Sequence, residues 1–173
     1  KLDLKNIDVI FIDFDGVLTN NKVIVNENGS ESVVCSRSDG LAFKILNLIK
    51  IPTYIFSSEE NRVVEARAKK IKIPVIQNIN DKKKEILNFS KEKKFDLNKT
   101  IYIGNDLNDL EAMNLCFYKI CPSDSHKLIK KISDFVLKSK GGDGVIRELV
   151  EDVLEIDFLK YLNQKDNIWI SFK

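Results

Sequence analysis

The sequence predicts an α/β fold built on a doubly wound parallel sheet, and three observations carry that expectation. Short apolar runs rich in β-formers recur along the chain, with amphipathic helical stretches between them. Ile51-Pro52 and Ile73-Pro74 stand where a helical pattern stops and a strand pattern begins, and proline biases the residue before it away from helix. Hydrophobic residues make up 43 % and charged residues 31 % of 173, with three prolines and seven glycines. That composition excludes a disordered or fibrous chain and is enough to bury a core.

Residues 9–14 form the first apolar run, closed by Asp15-Gly16, and read as a strand buried on both faces. Two short alternating segments, 22–25 and 32–34, flank Asn26-Glu27-Asn28-Gly29, and Asn-Gly between such segments signals a hairpin. From 38 to 50 the apolar positions Leu41, Ile45, Leu48 and Ile49 keep helical spacing, with Ser38 or Asp39 as the N-cap. A strand at 53–56, a helix at 59–71 and a strand opened by Ile73-Pro74 through Ile76 follow. Next come a helix at 81–93, a strand at 100–103, a short helix from Leu107 and a strand near 116–120. A helix at 125–132, a strand at 135–137 and a long helix from Val145 complete the core. Val145, Leu149 and Val153, with Ile146, Val150 and Leu154, are that last helix's apolar stripe. The alternation specifies one domain over 1–173, with a core at about 7–155, a hairpin at about 20–36 and a tail at 157–173. Phe158, Tyr161, Trp169, Ile170 and Phe172 give the tail more apolar surface than a free end needs, so it is expected to pack on a neighbour or a further domain. The opening Lys1 leaves room for a longer parent protein.

Twenty-eight basic against twenty-six acidic residues leave a formal charge of +2, which gives no electrostatic basis for binding nucleic acid or an anionic membrane. No stretch of about 18 apolar residues is present to span a bilayer, and KLDLKN is no secretory signal. Cys35, Cys116 and Cys121 are an odd number without metal-type spacing, which points to a reducing compartment, and the missing signals make the cytoplasm the expected location.

Ligands of open α/β sheets bind at the carboxyl ends of the strands, near the switch in strand order. Here those ends carry Asp13-Phe14-Asp15-Gly16, then Ser57-Ser58, then Gln77–Asn80 leading to Asp81-Lys82, then Gly104-Asn105-Asp106 with Asp109 three residues on. A carboxylate attacks phosphorus only when its repulsion with the phosphoryl oxygens is cancelled, and Mg²⁺, a hard cation, does this with few carboxylates. Asp13 is the candidate nucleophile, and Asp13 and Asp106 can ligate the metal from neighbouring strand ends. Strand alternation turns Asp15 to the side of Asp13, where it can protonate the leaving oxygen and later deprotonate water. The Ser57 hydroxyl and Lys82 ammonium can hold the remaining phosphoryl oxygens. Each residue alone also has a plain role: Asp-x-Asp and Ser57 as caps, Lys82 as a solvated first-turn lysine, Asp106 and Asp109 as cap and helix-face residues.

Together these segments resemble the haloacid dehalogenase superfamily of phosphatases over about residues 7–155. Asp13-Phe14-Asp15-Gly16-Val17-Leu18-Thr19 matches its first motif, Ser57 its second, Lys82 its third and Gly104–Asp109 its fourth. The resemblance implies a Rossmann-like core with Asp15 joining Asp13 and Asp106 at the metal and Asp109 supporting it. There is no room for a large cap domain, only the hairpin flap, followed by Arg37-Ser38-Asp39-Gly40 and, later, Gly141-Gly142-Asp143-Gly144-Val145-Ile146-Arg147-Glu148. This is similar to the capless branch that dephosphorylates 2-keto-3-deoxy sugar acids such as octulosonate 8-phosphate or neuraminate 9-phosphate. It implies a homotetramer with Arg37, Asp39 and Arg147 near the substrate; a salt-bridged loop and a helix cap account for Arg37 and Asp39 equally well. Ser58-Glu59 stands where that family often has glycine and arginine, and Asp143 where a basic residue is common, so substrate identity stays open. Domains like this also occur behind sialic-acid cytidylyltransferases as non-catalytic assembly modules, the second reading. A phospho-receiver domain is excluded by order, because its aspartate follows the third strand.

Overall fold

The computed structural model of the chain describes residues 2–162. After a 3₁₀ turn at Leu4–Asn6 come β1 (Val9–Ile12), the hairpin β2 (Thr19–Val25) and β3 (Glu31–Cys35), then α1 (Arg37–Leu48). Next are β4 (Thr53–Phe56), α2 (Arg62–Ile71), β5 (Val75–Ile76), α3 (Lys82–Lys93) and β6 (Thr100–Ile103). The remainder is α4 (Leu110–Leu115), β7 (Tyr118–Cys121), α5 (Lys127–Ile132), β8 (Phe135–Val136), α6 (Val145–Glu148) and α7 (Phe158–Leu162).

Six parallel strands lie in the order β5-β4-β1-β6-β7-β8, and the hairpin stands apart from them. The chain steps outward from β1 through β4 to β5, returns across the sheet to β6, and steps outward the other way. Right-handed crossovers then place α1 and α2 on one face and α3, α4 and α5 on the other. Side chains of β1 alternate accordingly. Ile10 and Ile12 join the core under α1, α2 and α6, whereas Val9 and Phe11 join Ile86, Met113 and Ile129 on the opposite face. The switch in strand order falls at β1, and the cleft opens there.

Boundaries differ from expectation where side chains decide them. Ser36, not Ser38 or Asp39, caps α1, its hydroxyl accepting from the Ser38 amide. Asp39 sits inside the first turn and faces the other way, as described below. The expected strand at 116–120 begins at Tyr118, because the Cys116 amide still closes α4 on the Met113 carbonyl. The long terminal helix is one α-helical turn continued by a π segment, Leu149–Val153, with its predicted apolar stripe buried. Phe158 is buried in this chain's own core, contrary to the expectation that the tail's apolar surface serves a neighbour. Trp169, Ile170 and Phe172 lie outside the described residues.

The hairpin turns at the predicted Asn26–Gly29, where Gly29 has φ +78°. Its outer side chains Ile24, Val25 and Val34 are more than half exposed, at 59 %, 63 % and 57 %. No helix among the described residues is long and apolar enough to cross a membrane.

Candidate active site

Asp13 leaves the sheet one residue after β1, its amide still bonded to the Ile103 carbonyl at 2.9 Å. That bond locks the nucleophile candidate to the end of β6. The residue is only 4 % exposed. Oδ1 accepts from the Phe14 amide at 2.8 Å and lies 2.6 Å from Lys82 Nζ. Lys82, at the start of α3, is placed by Asp81, whose side chain caps that helix by accepting from the Lys84 amide. The same ammonium donates to Asp109 Oδ1 at 2.7 Å. It is therefore no solvated first-turn lysine but a buried cation between two buried carboxylates.

Asp109 has no exposed surface and is saturated with donors. Besides Lys82, the Tyr102 hydroxyl donates to it at 2.8 Å, and the amides of Asn105 and Asp106 at 2.9 and 3.4 Å. Gly104 makes this possible, since a Cβ there would lie 2.7 Å from the Asp109 side chain. Asp109 thus braces both Lys82 and the loop after β6.

A cleft at the carboxyl ends of β4, β1 and β6 is lined by Asp13, Asp15, Ser57, Glu59, Asn105 and Asp106. Ser57 is buried, and its Oγ accepts from the Glu59 amide at 3.1 Å, leaving the hydroxyl proton to donate. A second hollow continues under the hairpin between Asp15, Glu31, Glu59 and Asn61, where Asn61 donates to Glu31 at 2.6 Å. Asp15 is half-buried, and its Oδ1 accepts from the Thr19 hydroxyl at 3.2 Å. Burial pushes its carboxyl up, Thr19 opposes the rise, and Glu59 adds to it.

The charge balance calls for a cation. Burial, and then repulsion from Asp109, push Asp13 up to about 8 against the pull of Lys82. A single ammonium does not neutralise both carboxylates. Among the described residues no three histidine, cysteine or carboxylate side chains form a ready metal cage. Asp106, predicted as a ligand, lines the cleft but is exposed and turned to its own backbone, its Oδ1 accepting from the Leu107 amide at 2.7 Å. What meets beside Asp13 is its own Oδ2, the main-chain carbonyl of Asp15 and the side-chain amide of Asn105. With the Asn105 amide oxygen turned inward these groups make an all-oxygen set with one carboxylate, which suits a hard divalent ion. The donor set fits the predicted metal, with the Asp15 carbonyl in place of its carboxylate.

Sequence reasoning missed Asn105 and Tyr102. The only signal for Asn105 was its position, a polar residue directly after Gly104 at a strand end. Tyr102 gave none, being one aromatic among several in strands.

Three residues expected near the substrate are not gathered into the cleft. Arg37 is exposed at the start of α1 and is not among the residues lining it. Arg147 pairs with Glu151 and stacks 4.0 Å from the Phe158 ring, and it is not among the residues lining the cleft. Asp39 is buried, and its Oδ1 caps α6 by accepting from the Ile146 and Arg147 amides at 2.9 and 3.0 Å. It is the helix cap of the alternative reading, though for α6 and not for its own helix.

Asp39 pays for that position. Its Oδ2 is buried without a partner, and burial pushes the carboxyl up to about 6 against the Arg147 and Ile146 amides and Arg67. The folded chain therefore holds this proton more tightly than the unfolded chain does. Ionisation costs nothing below about pH 4, and the cost grows to its full size above about pH 6. Asp39→Asn is expected to match the wild type near pH 4 and to exceed its stability by about 3 kcal/mol at pH 8. Urea unfolding at both pH values checks this; an equal gap at both would mean that the charge is not the cause.

A family model described as haloacid dehalogenase-like hydrolase matches residues 44–149. The 3-deoxy-D-manno-octulosonate 8-phosphate phosphatase of Haemophilus influenzae is 28 % identical over 154 residues, 88 % of this chain and 85 % of that protein. The N-acylneuraminate cytidylyltransferase of Oncorhynchus mykiss is 24 % identical over 150 residues, 84 % of this chain but only 35 % of that protein. In structure, the 3-deoxy-D-manno-octulosonate 8-phosphate phosphatase of Moraxella catarrhalis, solved with magnesium, phosphate and the sugar acid, superposes with TM-score 0.85. It is 28 % identical, over 91 % of this chain and 92 % of that one.

Proposed function

We propose that this chain, which belongs to the haloacid dehalogenase-like hydrolases and is a phosphatase, removes phosphate from a 2-keto-3-deoxy sugar acid with the help of bound Mg²⁺. The observation that carries this reading is the Lys82 ammonium held against Asp13 beneath a cleft at the strand-order switch. Asp13 attacks phosphorus and forms an aspartyl phosphate as the P–O ester bond breaks. Asp15 gives its proton to the departing sugar oxygen. Water then attacks the aspartyl phosphate, Asp15 takes the water's proton, and inorganic phosphate leaves with Asp13 restored. Ser57 and Lys82 steady the phosphoryl oxygens. A divalent cation, held by Asp13, the Asp15 carbonyl and Asn105, with Asp106 at the cleft's edge, would supply the charge that lets one anion approach another. Residues 1–173 act as one domain in this reading, and the three free cysteines suit the cytoplasm.

The substrate class follows from the octulosonate phosphatases among the relatives. Octulosonate 8-phosphate and neuraminate 9-phosphate are both candidates. The test is phosphate release from these two and from simple hexose phosphates, with Mg²⁺ and then with excess chelator. Release that chelator stops, with a sugar acid phosphate preferred at least about tenfold in kcat/KM, is expected. Release indifferent to chelator, or hexose phosphates hydrolysed equally well, would sink the reading.

A second reading has its own support. The match to part of a cytidylyltransferase, and the exposed apolar hairpin, favour a module that assembles four chains. A homotetramer is compatible with both readings. A folded tetramer that releases no phosphate from any of these substrates would decide for the module.

A further inference from the structure

Asn105 is 7 % exposed and held from both sides along its backbone. Its amide donates to Asp109 Oδ2 at 2.9 Å, and its carbonyl accepts from the His126 amide at 2.8 Å. Across the cleft floor stands Gly16, at φ +81°, where a Cβ would lie 1.9 Å from the Asn105 side-chain nitrogen. A packed side chain fixed at its root keeps one cheap freedom, the half-turn of its terminal amide.

The two ends of that half-turn have opposite chemistry. With the nitrogen inward, the amide donates to Asp13 Oδ2 at 3.2 Å and to the Asp15 carbonyl at 2.8 Å. With the oxygen inward, three oxygens face one another without a proton between them. The first arrangement is satisfied without any ion; the second also turns the nitrogen toward other donors, and only a cation among the three oxygens can favour it. An aspartate in this place could offer only the second.

We propose that Asn105 is a two-way amide: it bonds Asp13 and Asp15 through nitrogen when the site is metal-free and turns its oxygen inward when a divalent cation binds. The proposal rests on the metal-dependent reading above and adds a consequence to it. A neutral ligand attracts a divalent ion less than a carboxylate does, so the chain gives up metal affinity and gains a metal-free site without unpaired oxygens.

Calorimetric titration with MgCl₂ and thermal melting in excess chelator test this, on wild type, Asn105→Asp and Asn105→Ala. Asn105→Asp is expected to bind Mg²⁺ at least about tenfold more tightly. In chelator it is expected to melt at least about 4 °C lower, because a further carboxylate replaces two donated hydrogen bonds. Asn105→Ala is expected to melt lower in chelator and to bind Mg²⁺ more weakly, and it serves alone if the aspartate variant does not fold. Equal Mg²⁺ affinity and equal melting in chelator across the folded variants would overturn the two-way amide while leaving metal dependence standing. No Mg²⁺ binding by any of the three would overturn both.

Discussion

Asp13→Asn is expected to lower kcat by at least about 10⁴-fold while the protein melts within a few degrees of the wild type. The amide keeps the shape of the carboxylate and can still accept the Phe14 amide through its oxygen, and Lys82 keeps Asp109 as its counter-ion, so neither the end of β1 nor the ammonium is left uncompensated. What it loses is the anionic oxygen that forms the bond to phosphorus. Residual turnover of a few per cent would mean that Asp13 only positions something else, with water as the direct attacker. Rapid acid quenching separates these cases. Wild type mixed with substrate should carry a hydroxylamine-sensitive phosphate, as an acyl phosphate must, and Asp13→Asn should carry none. An unlabelled wild type that still turns over would remove the aspartyl phosphate from the scheme.

How much of this could be read without coordinates depends on the range of the interaction involved. The strands of the sheet were legible because buried runs such as Val9–Ile12 and Thr100–Ile103 are apolar on both faces, and because two prolines punctuate the rhythm. Asp13, Ser57 and Lys82 were legible because each directly follows a strand or opens a helix, and strand ends of such sheets converge on one edge. The side chains that turn elsewhere in this chain share a different cause. Asp39 meets the Ile146 amide across 107 positions of sequence, and nothing local says that its carboxylate turns inward to cap a distant helix. Arg147 looked available beside a glycine loop, yet Phe158, on the next helix, takes its guanidinium. Asp106 looked like a ligand because it is charged. Its neighbour Asn105 faces Asp13 instead, since alternation along the chain leaving β6 turns one of the two inward and the other to solvent. Sequence reading favours charge, and here the inward position holds a neutral amide.

Lys82→Met should be the most damaging single change to stability, and it should also cost much of the turnover. The methionine keeps most of the buried stem, so packing is largely preserved, and the loss is that of the ammonium. Asp109 retains Tyr102 and two main-chain donors, whereas Asp13 retains only the Phe14 amide and, in the metal-free site, Asn105. Breaking a buried ion pair from one side costs roughly 3–5 kcal/mol, because the remaining charge stays buried and uncompensated. Turnover should fall about 10³-fold or more, since the same ammonium faces the site where phosphoryl charge accumulates. The stability loss distinguishes charge compensation from simple packing when a second change is added. Lys82→Met/Asp13→Asn removes one of the two stranded carboxylates at constant shape, so the double variant should be more stable than Lys82→Met alone, by about 1–2 kcal/mol. Urea unfolding of the set in chelator measures this directly. If Asp13→Asn instead destabilises the Lys82→Met protein, then Asp13 is already neutral there, and Lys82 serves chiefly to hold Asp109 and the β6 loop in place.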